Sequence, residues 1–215
     1  MDKFFGKGPF VGLPDFYIKE SGARRMESLL TRAMGFAVRA HGDRAWKGST
    51  APYITHSMEV CAIVSELTED MEVRAAAVLH GVPGTRAYTL DGLYNYFGSH
   101  ITNLVQQVTE DPLGEEWKKA SRADTWELRK CAFIEKTAAC DYKSAQRIIL
   151  ADKLSDLRAL ERTVARDGMA AWSYFNQPDP ERQHWYYREV LHALNRMRGL
   201  PQMEEAMGLL RRIWA

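Results

Sequence analysis

Apolar residues along this chain recur at the three- and four-residue spacing of helices almost from end to end. Nowhere do they alternate in the two-residue rhythm of a strand for more than a few positions. The pattern starts at Ser21: in SGARRMESLLTRAMGFAVRAH, Met26, Leu29, Leu30, Met34, Phe36 and Ala37 fall near one face. After the loop GDRAWKGSTAP, the stretch PYITHSMEVCAIVSEL reads as a second amphipathic helix with Pro52 at its start. MEVRAAAVLH is apolar nearly all round, which predicts a short helix at the centre of the core. TLDGLYNYFG and SHITNLVQQVTED predict two more, with Thr89 and Ser99 as N-caps whose hydroxyls accept from free first-turn amides. Longer helices are expected over 116–139 and 142–164, and DGMAAWSYFN, PDPERQHWYYREVLHALNRMRG and PQMEEAMGLLRRIWA complete the series. Residues 1–20, broken by Gly and Pro, predict an irregular arm that drapes over the body through its Phe residues. Residues 21–215 predict one all-α domain without repeats or linkers.

Composition narrows the function without naming it. A chain of 215 residues that is 46% hydrophobic can bury one substantial core. A net charge of +1 argues against a broad nucleic-acid or membrane surface, since both need an excess of Lys and Arg, but it allows a small basic pocket. Cys61, Cys131 and Cys140 lack metal-type spacing and fit free thiols in a reducing compartment. No stretch approaches the ~20 apolar residues that span a bilayer, and the N-terminal residues lack a signal-peptide core. A soluble cytoplasmic protein is expected, with a homo-oligomer left open.

Three residues stand out as candidate metal ligands. His56 lies one turn into the helix that begins at PYI, His80 ends AAAVLH, and Asp152 interrupts an apolar face in IILADKLSDL. An unpaired aspartate in such a face is costly. Two imidazoles and a carboxylate from three helices suit Mn²⁺, Fe²⁺ or Zn²⁺. Each residue also has an ordinary reading: a hydrogen-bonded core histidine, or an aspartate paired with Lys153 or Arg158.

Several segments together resemble a known family: FAVRAHGDRAWKG, PYITHSMEV, AAAVLH, YTLDGLYNYFGSHITNLVQQVTED, WELRK and IILADKLSDLRAL, in that order. They are similar to the HD-domain phosphohydrolases, specifically the hydrolase domain of RelA/SpoT homologues, which removes the 3′-pyrophosphate from (p)ppGpp. AAWSYFN and HWYYREV resemble the small-hydrolase branch of that family. The resemblance implies an all-α bundle of about ten helices and a divalent metal, Mn²⁺ above others, held by His56, His80, Asp152 and an aspartate after the second histidine. That last position is Gly81. The family's acidic pair, which handles the attacking water, falls on Gly84 and Thr85. The resemblance further implies nucleotide contacts at Lys47, with Trp46 replacing one of two basic residues, and at Asp156, where an asparagine is usual. Arg182 and Tyr186, four apart on one helix face, match a phosphate-contacting Arg and a ring-contacting Tyr. Arg39 and Arg158 suit structural ion pairs, and Asp43 or Asp156 could replace a lost carboxylate. The expected ligand is a guanosine nucleotide or another phosphorylated small molecule. Three functions stay open: a degenerate hydrolase with catalysis lost or strongly reduced and nucleotide binding left open, an active hydrolase with a rebuilt three-ligand site, and a non-enzymatic helical interaction module.

Overall fold

The computed structural model describes residues 28–85, 88–111, 114 and 119–215. The expected arm, residues 1–20, and the first turns expected from Ser21 lie outside the described residues. Among those described are eight α-helices and no strand: α1 (Leu29–His41), α2 (Ile54–Leu67), α3 (Met71–Leu79), α4 (Leu90–Val108), α5 (Trp126–Ala139), α6 (Lys143–Asp167), α7 (Pro180–Ala193) and α8 (Pro201–Ile213). Short 3₁₀ segments cover Val82–Thr85, Gly168–Tyr174 and Asn195–Met197. The all-α class is as expected. The number of α-helices is a little lower than ten, because two expected helices are run together as α4 and DGMAAWSYFN winds largely as a 3₁₀ turn.

MEVRAAAVLH takes the central place its composition predicts. Val73 and Ala75 through Leu79 are wholly buried, and α3 packs against α1, α2, α4 and α6. Its run of alanines lets those neighbours approach closely. The long helix α6 buries Ile148, Ile149, Leu150, Ala151, Leu154, Leu157 and Leu160, and lies against α2, α4 and α8. These residues belong to one continuous apolar core. Helix starts follow local chemistry. Asp70 accepts from the amides of Glu72 and Val73, Thr89 accepts from Gly92, and Asp179 caps α7 with Pro180 in its first turn.

Two helices differ from the expected spans. The two expected helices on either side of residue 98 are run together as α4, broken at Gly98, whose φ of 78° and ψ of 178° suit only glycine. The helix expected from residue 116 begins at Trp126. The Ser121 hydroxyl donates to the Asp124 carboxylate and accepts from the Asp124 amide. Such side-chain bonds offer the backbone a turn in place of a helix. The three thiols are free, with Cys61 and Cys140 buried. Among the described residues no helix is long and apolar enough to cross a membrane.

Candidate metal centre

His56 sits in the first turn of α2, His80 follows the last turn of α3, and Asp152 lies midway along α6. Packing of α2 against both α3 and α6 brings the three side chains to one point. Asp152 Oδ1 lies 3.1 Å from His56 Nε2 and 3.4 Å from His80 Nε2. The two Nε2 atoms are 3.3 Å apart. One potential ligand atom from each residue falls within 4.8 Å of the others.

Hydrogen bonding on the far side of each ring decides what faces inward. His80 Nδ1 is 2.6 Å from the Ala77 carbonyl, which can only accept, so Nδ1 carries a proton. His56 Nδ1 is 2.9 Å from Ser155 Oγ, whose own proton goes to Glu59 Oε2, also at 2.9 Å. Ser155 therefore accepts from His56, and His56 Nδ1 is protonated too. In the neutral form, each ring then turns its Nε2 lone pair toward the Asp152 oxygen. Three acceptors within 3.4 Å of one another need a cation between them, either a shared proton or a metal ion.

The charges around the trio fit this geometry. Burial alone would raise the Asp152 pKa, but the Lys153 ammonium, 2.6 Å from Oδ2, and the two imidazoles beside Oδ1 hold the carboxyl well below its usual range. Pairing with Lys153 was one of two ordinary readings for Asp152, and it uses the oxygen that faces away from the histidines. Burial would lower the His80 pKa, yet the Asp152 hydrogen bond and charge, with the Ala77 carbonyl, raise it. Lys153 also reaches Asp156, at 3.2 Å.

Gly81 occupies the place of an expected carboxylate, and neighbouring rings have closed over it. A Cβ there would lie 3.0 Å from both the Cε1 and the hydroxyl of Tyr53, and 3.2 Å from His41 Cε1. Burial, then the charges of Arg44, His80 and His56, lowers the His41 pKa to about 4, so this third imidazole is neutral. Burial, then the Asp152 and Asp156 carboxylates, raises that of the Tyr53 phenol. A Cβ at Gly84, by contrast, meets nothing within 4 Å. The Thr85 hydroxyl donates to the Val82 carbonyl at 2.8 Å.

Trp46 stacks on the His56 ring, with centroids 4.2 Å apart. Together with Lys47, Asp156, Tyr174, Phe175 and Tyr187 it lines a narrow recess of about 40 Å³. The loop carrying Trp46 and Lys47 is pinned at Gly48, whose φ is 65° and whose missing Cβ would stand 2.3 Å from the Tyr174 ring. Arg166 holds the Gly48 carbonyl at 2.7 Å. Three sequence candidates, Trp46, Lys47 and Asp156, therefore meet at one recess, and Arg182 and Tyr186 are not among its lining residues. Arg182 pairs with Glu127 on α5 at 2.6 Å, and Tyr186 is buried with the Lys130 ammonium over its ring. Arg158 makes the ion pairs expected of it, to Glu59 and Glu205. Sequence reasoning passed over Tyr53, His41, Ser155 and Glu59. The signal for Tyr53 was present, one residue inside PYITH.

A family model described as an HD domain matches residues 33–179. The chain belongs to the HD-domain family. Within this family it is 32% identical over 138 residues to the guanosine-3′,5′-bis(diphosphate) 3′-pyrophosphohydrolase MESH1 of Danio rerio, covering 63% of this chain and 71% of that protein. It is 29% identical over 159 residues to the bifunctional (p)ppGpp synthase/hydrolase SpoT of Escherichia coli K12, where the match spans 73% of this chain and only 22% of the longer protein. Among solved structures, a metazoan ortholog of SpoT that hydrolyses ppGpp shares the fold with a TM-score of 0.68 and 23% identity, over 88% of this chain and 98% of that one. The lmo0812 protein of Listeria monocytogenes EGD-e superposes with a TM-score of 0.61 and 26% identity, over 76% of this chain and 98% of that one. These likenesses support the family resemblance read from the sequence: an HD domain like those of the (p)ppGpp hydrolases.

Proposed function

We propose that this HD domain seats a divalent cation, Mn²⁺ by preference, on His56, His80 and Asp152, and that its hydrolysis of guanosine 3′-pyrophosphates is lost or strongly reduced. The observation that carries this reading is the state of three positions. Gly81 has no ligand oxygen and its space is taken by Tyr53 and His41, Gly84 opens onto empty space, and the Thr85 hydroxyl is engaged with a backbone carbonyl. The chemistry such a cation supplies when bound is to acidify a water and polarise a phosphate oxygen. The positioned carboxylate that moves the water's proton, worth typically ~10²- to 10⁴-fold in rate, is what these positions lack. MESH1's substrate class motivates the choice of ligand. Lys47 on the recess supports an anionic group there, while Trp46 offers a ring face for a base. A recess of about 40 Å³ is far below the ~300 Å³ at which ligand pockets usually begin.

A second reading, an active hydrolase with a rebuilt site, is favoured by Asp156, a carboxylate beside the same recess and one lysine away from Asp152. Turnover of guanosine tetraphosphate with saturating Mn²⁺ separates the two. The proposal expects a rate at least ~100-fold below the ordinary enzyme range of ~1 to 10³ s⁻¹. A rate inside that range, abolished by Asp156→Asn, would establish the second reading instead.

A further inference from the structure

We infer that Ser155 and Glu59 are positioning residues that lock His56 into the tautomer able to bind a metal, an inference that rests on the metal reading above. Five polar groups run in one line across α2, α6 and α8. His56 Nδ1 donates to Ser155 Oγ at 2.9 Å, Ser155 Oγ donates to Glu59 Oε2 at 2.9 Å, and Arg158 Nη1 donates to Glu59 Oε1 at 3.2 Å. Arg158 is in turn held by both oxygens of Glu205, at 2.7 and 2.8 Å. Proton supply sets the direction of the whole line. An ionised Glu59 has no proton to give, and Arg158 can only donate, so the single hydroxyl proton of Ser155 goes to Glu59. Ser155 is then left as an acceptor, and His56 must carry its proton on Nδ1. The metal-facing Nε2 keeps its lone pair as a consequence of a carboxylate two hydrogen bonds away.

The location of these groups suits that task. Ser155 is 1% exposed, so no water competes for its hydroxyl. Trp46 covers one face of the His56 ring and limits its tilt. His80 needs no such relay, because a backbone carbonyl fixes its tautomer directly. Carboxylates and hydroxyls behind a ligating histidine orient it and commonly change metal affinity 10- to 100-fold when removed.

Glu59→Gln provides the decisive test, since it preserves shape while reversing the line. Arg158 requires an oxygen opposite it, so the glutamine carbonyl faces Arg158 and its NH₂ faces Ser155. Ser155 then accepts from the amide, and its hydroxyl is free to donate to His56 Nδ1. Imidazole ¹⁵N NMR of the metal-free protein should show Nδ1–H for His56 in the wild type and in Ser155→Thr, and a shift toward Nε2–H in Glu59→Gln and Ser155→Ala. Mn²⁺ affinity from calorimetry should fall about 10- to 100-fold in the last two and hold in Ser155→Thr. An unchanged tautomer in Glu59→Gln overturns the inference, as does a switched tautomer with unchanged affinity. A wild type that binds no Mn²⁺ sinks the metal reading alone, because the NMR comparison still decides whether the relay sets the tautomer.

Discussion

Gly81 is the residue at which this HD domain departs most sharply from what its motif implies, and the departure has a measurable packing signature. Alanine there gains about 0.4–1 kcal/mol from a stiffer unfolded chain. It also drives a Cβ to 3.0 Å from a ring that has little room to yield. Tyr53 lies 4.5 Å from the His41 ring, 5.2 Å from Trp46 and 5.5 Å from His56, centroid to centroid, with the Arg44 guanidinium 4.1 Å over its face. Overpacking of this kind costs about 1–3 kcal/mol, so Gly81→Ala should be net destabilising in a urea titration. Tyr53→Leu in the same chain should recover part of that loss. A Gly81→Ala protein more stable than wild type would mean that the space over Gly81 is not filled. Restoring the family's aspartate by substitution alone thus meets an obstacle invisible in the sequence, whereas a carboxylate at Gly84 meets none. His56, His80 and Asp152 were legible because each sits at a fixed place in a motif. The rings over Gly81 were not, because their position depends on how the α1–α2 loop folds onto the end of α3.

At the scale of elements, a charge cluster ties the end of α4 to α5. Glu110, just past the end of α4, takes hydrogen bonds from Arg129 and Lys130 on α5, with Arg122 at 3.8 Å. Burial alone would raise its pKa; the Lys130 and Arg129 partners instead bring it down to about 2, from 4.5. A depressed carboxyl pKa contributes stability that is complete above the unfolded value of 4.5 and is lost as pH falls toward 2. The full difference corresponds to about 3 kcal/mol as an upper figure. Wild type should therefore exceed Glu110→Gln in urea stability at pH 6, with the gap shrinking as pH falls from about 4.5 toward 3. A gap independent of pH would contradict the ion-pair account. The same region shows where helix reading fell short. The stretch before Trp126 was expected to be helical from residue 116, yet Ser121 and Asp124 hold the backbone there in a turn. Thr89 and the buried MEVRAAAVLH were read correctly because a cap and an all-apolar run each act locally.

For the whole molecule, α6 is the element that couples fold to site. Its apolar face anchors the core, Asp152 on it meets both histidines, and Ser155, Asp156 and Arg158 on the same helix carry the relay and the edge of the recess. The all-α class was readable from periodicity alone. Ser155 and Glu59 were not, since 96 residues separate them and a polar pair at that distance reads as two solvated side chains. The central claim of the proposed function is that His56, His80 and Asp152 hold a divalent cation. Metal content after equilibrium dialysis against Mn²⁺ tests it most directly. The account predicts about one Mn²⁺ per chain, lost in His56→Ala and in His80→Ala. No saturable binding, or binding that both substitutions leave untouched, would contradict it.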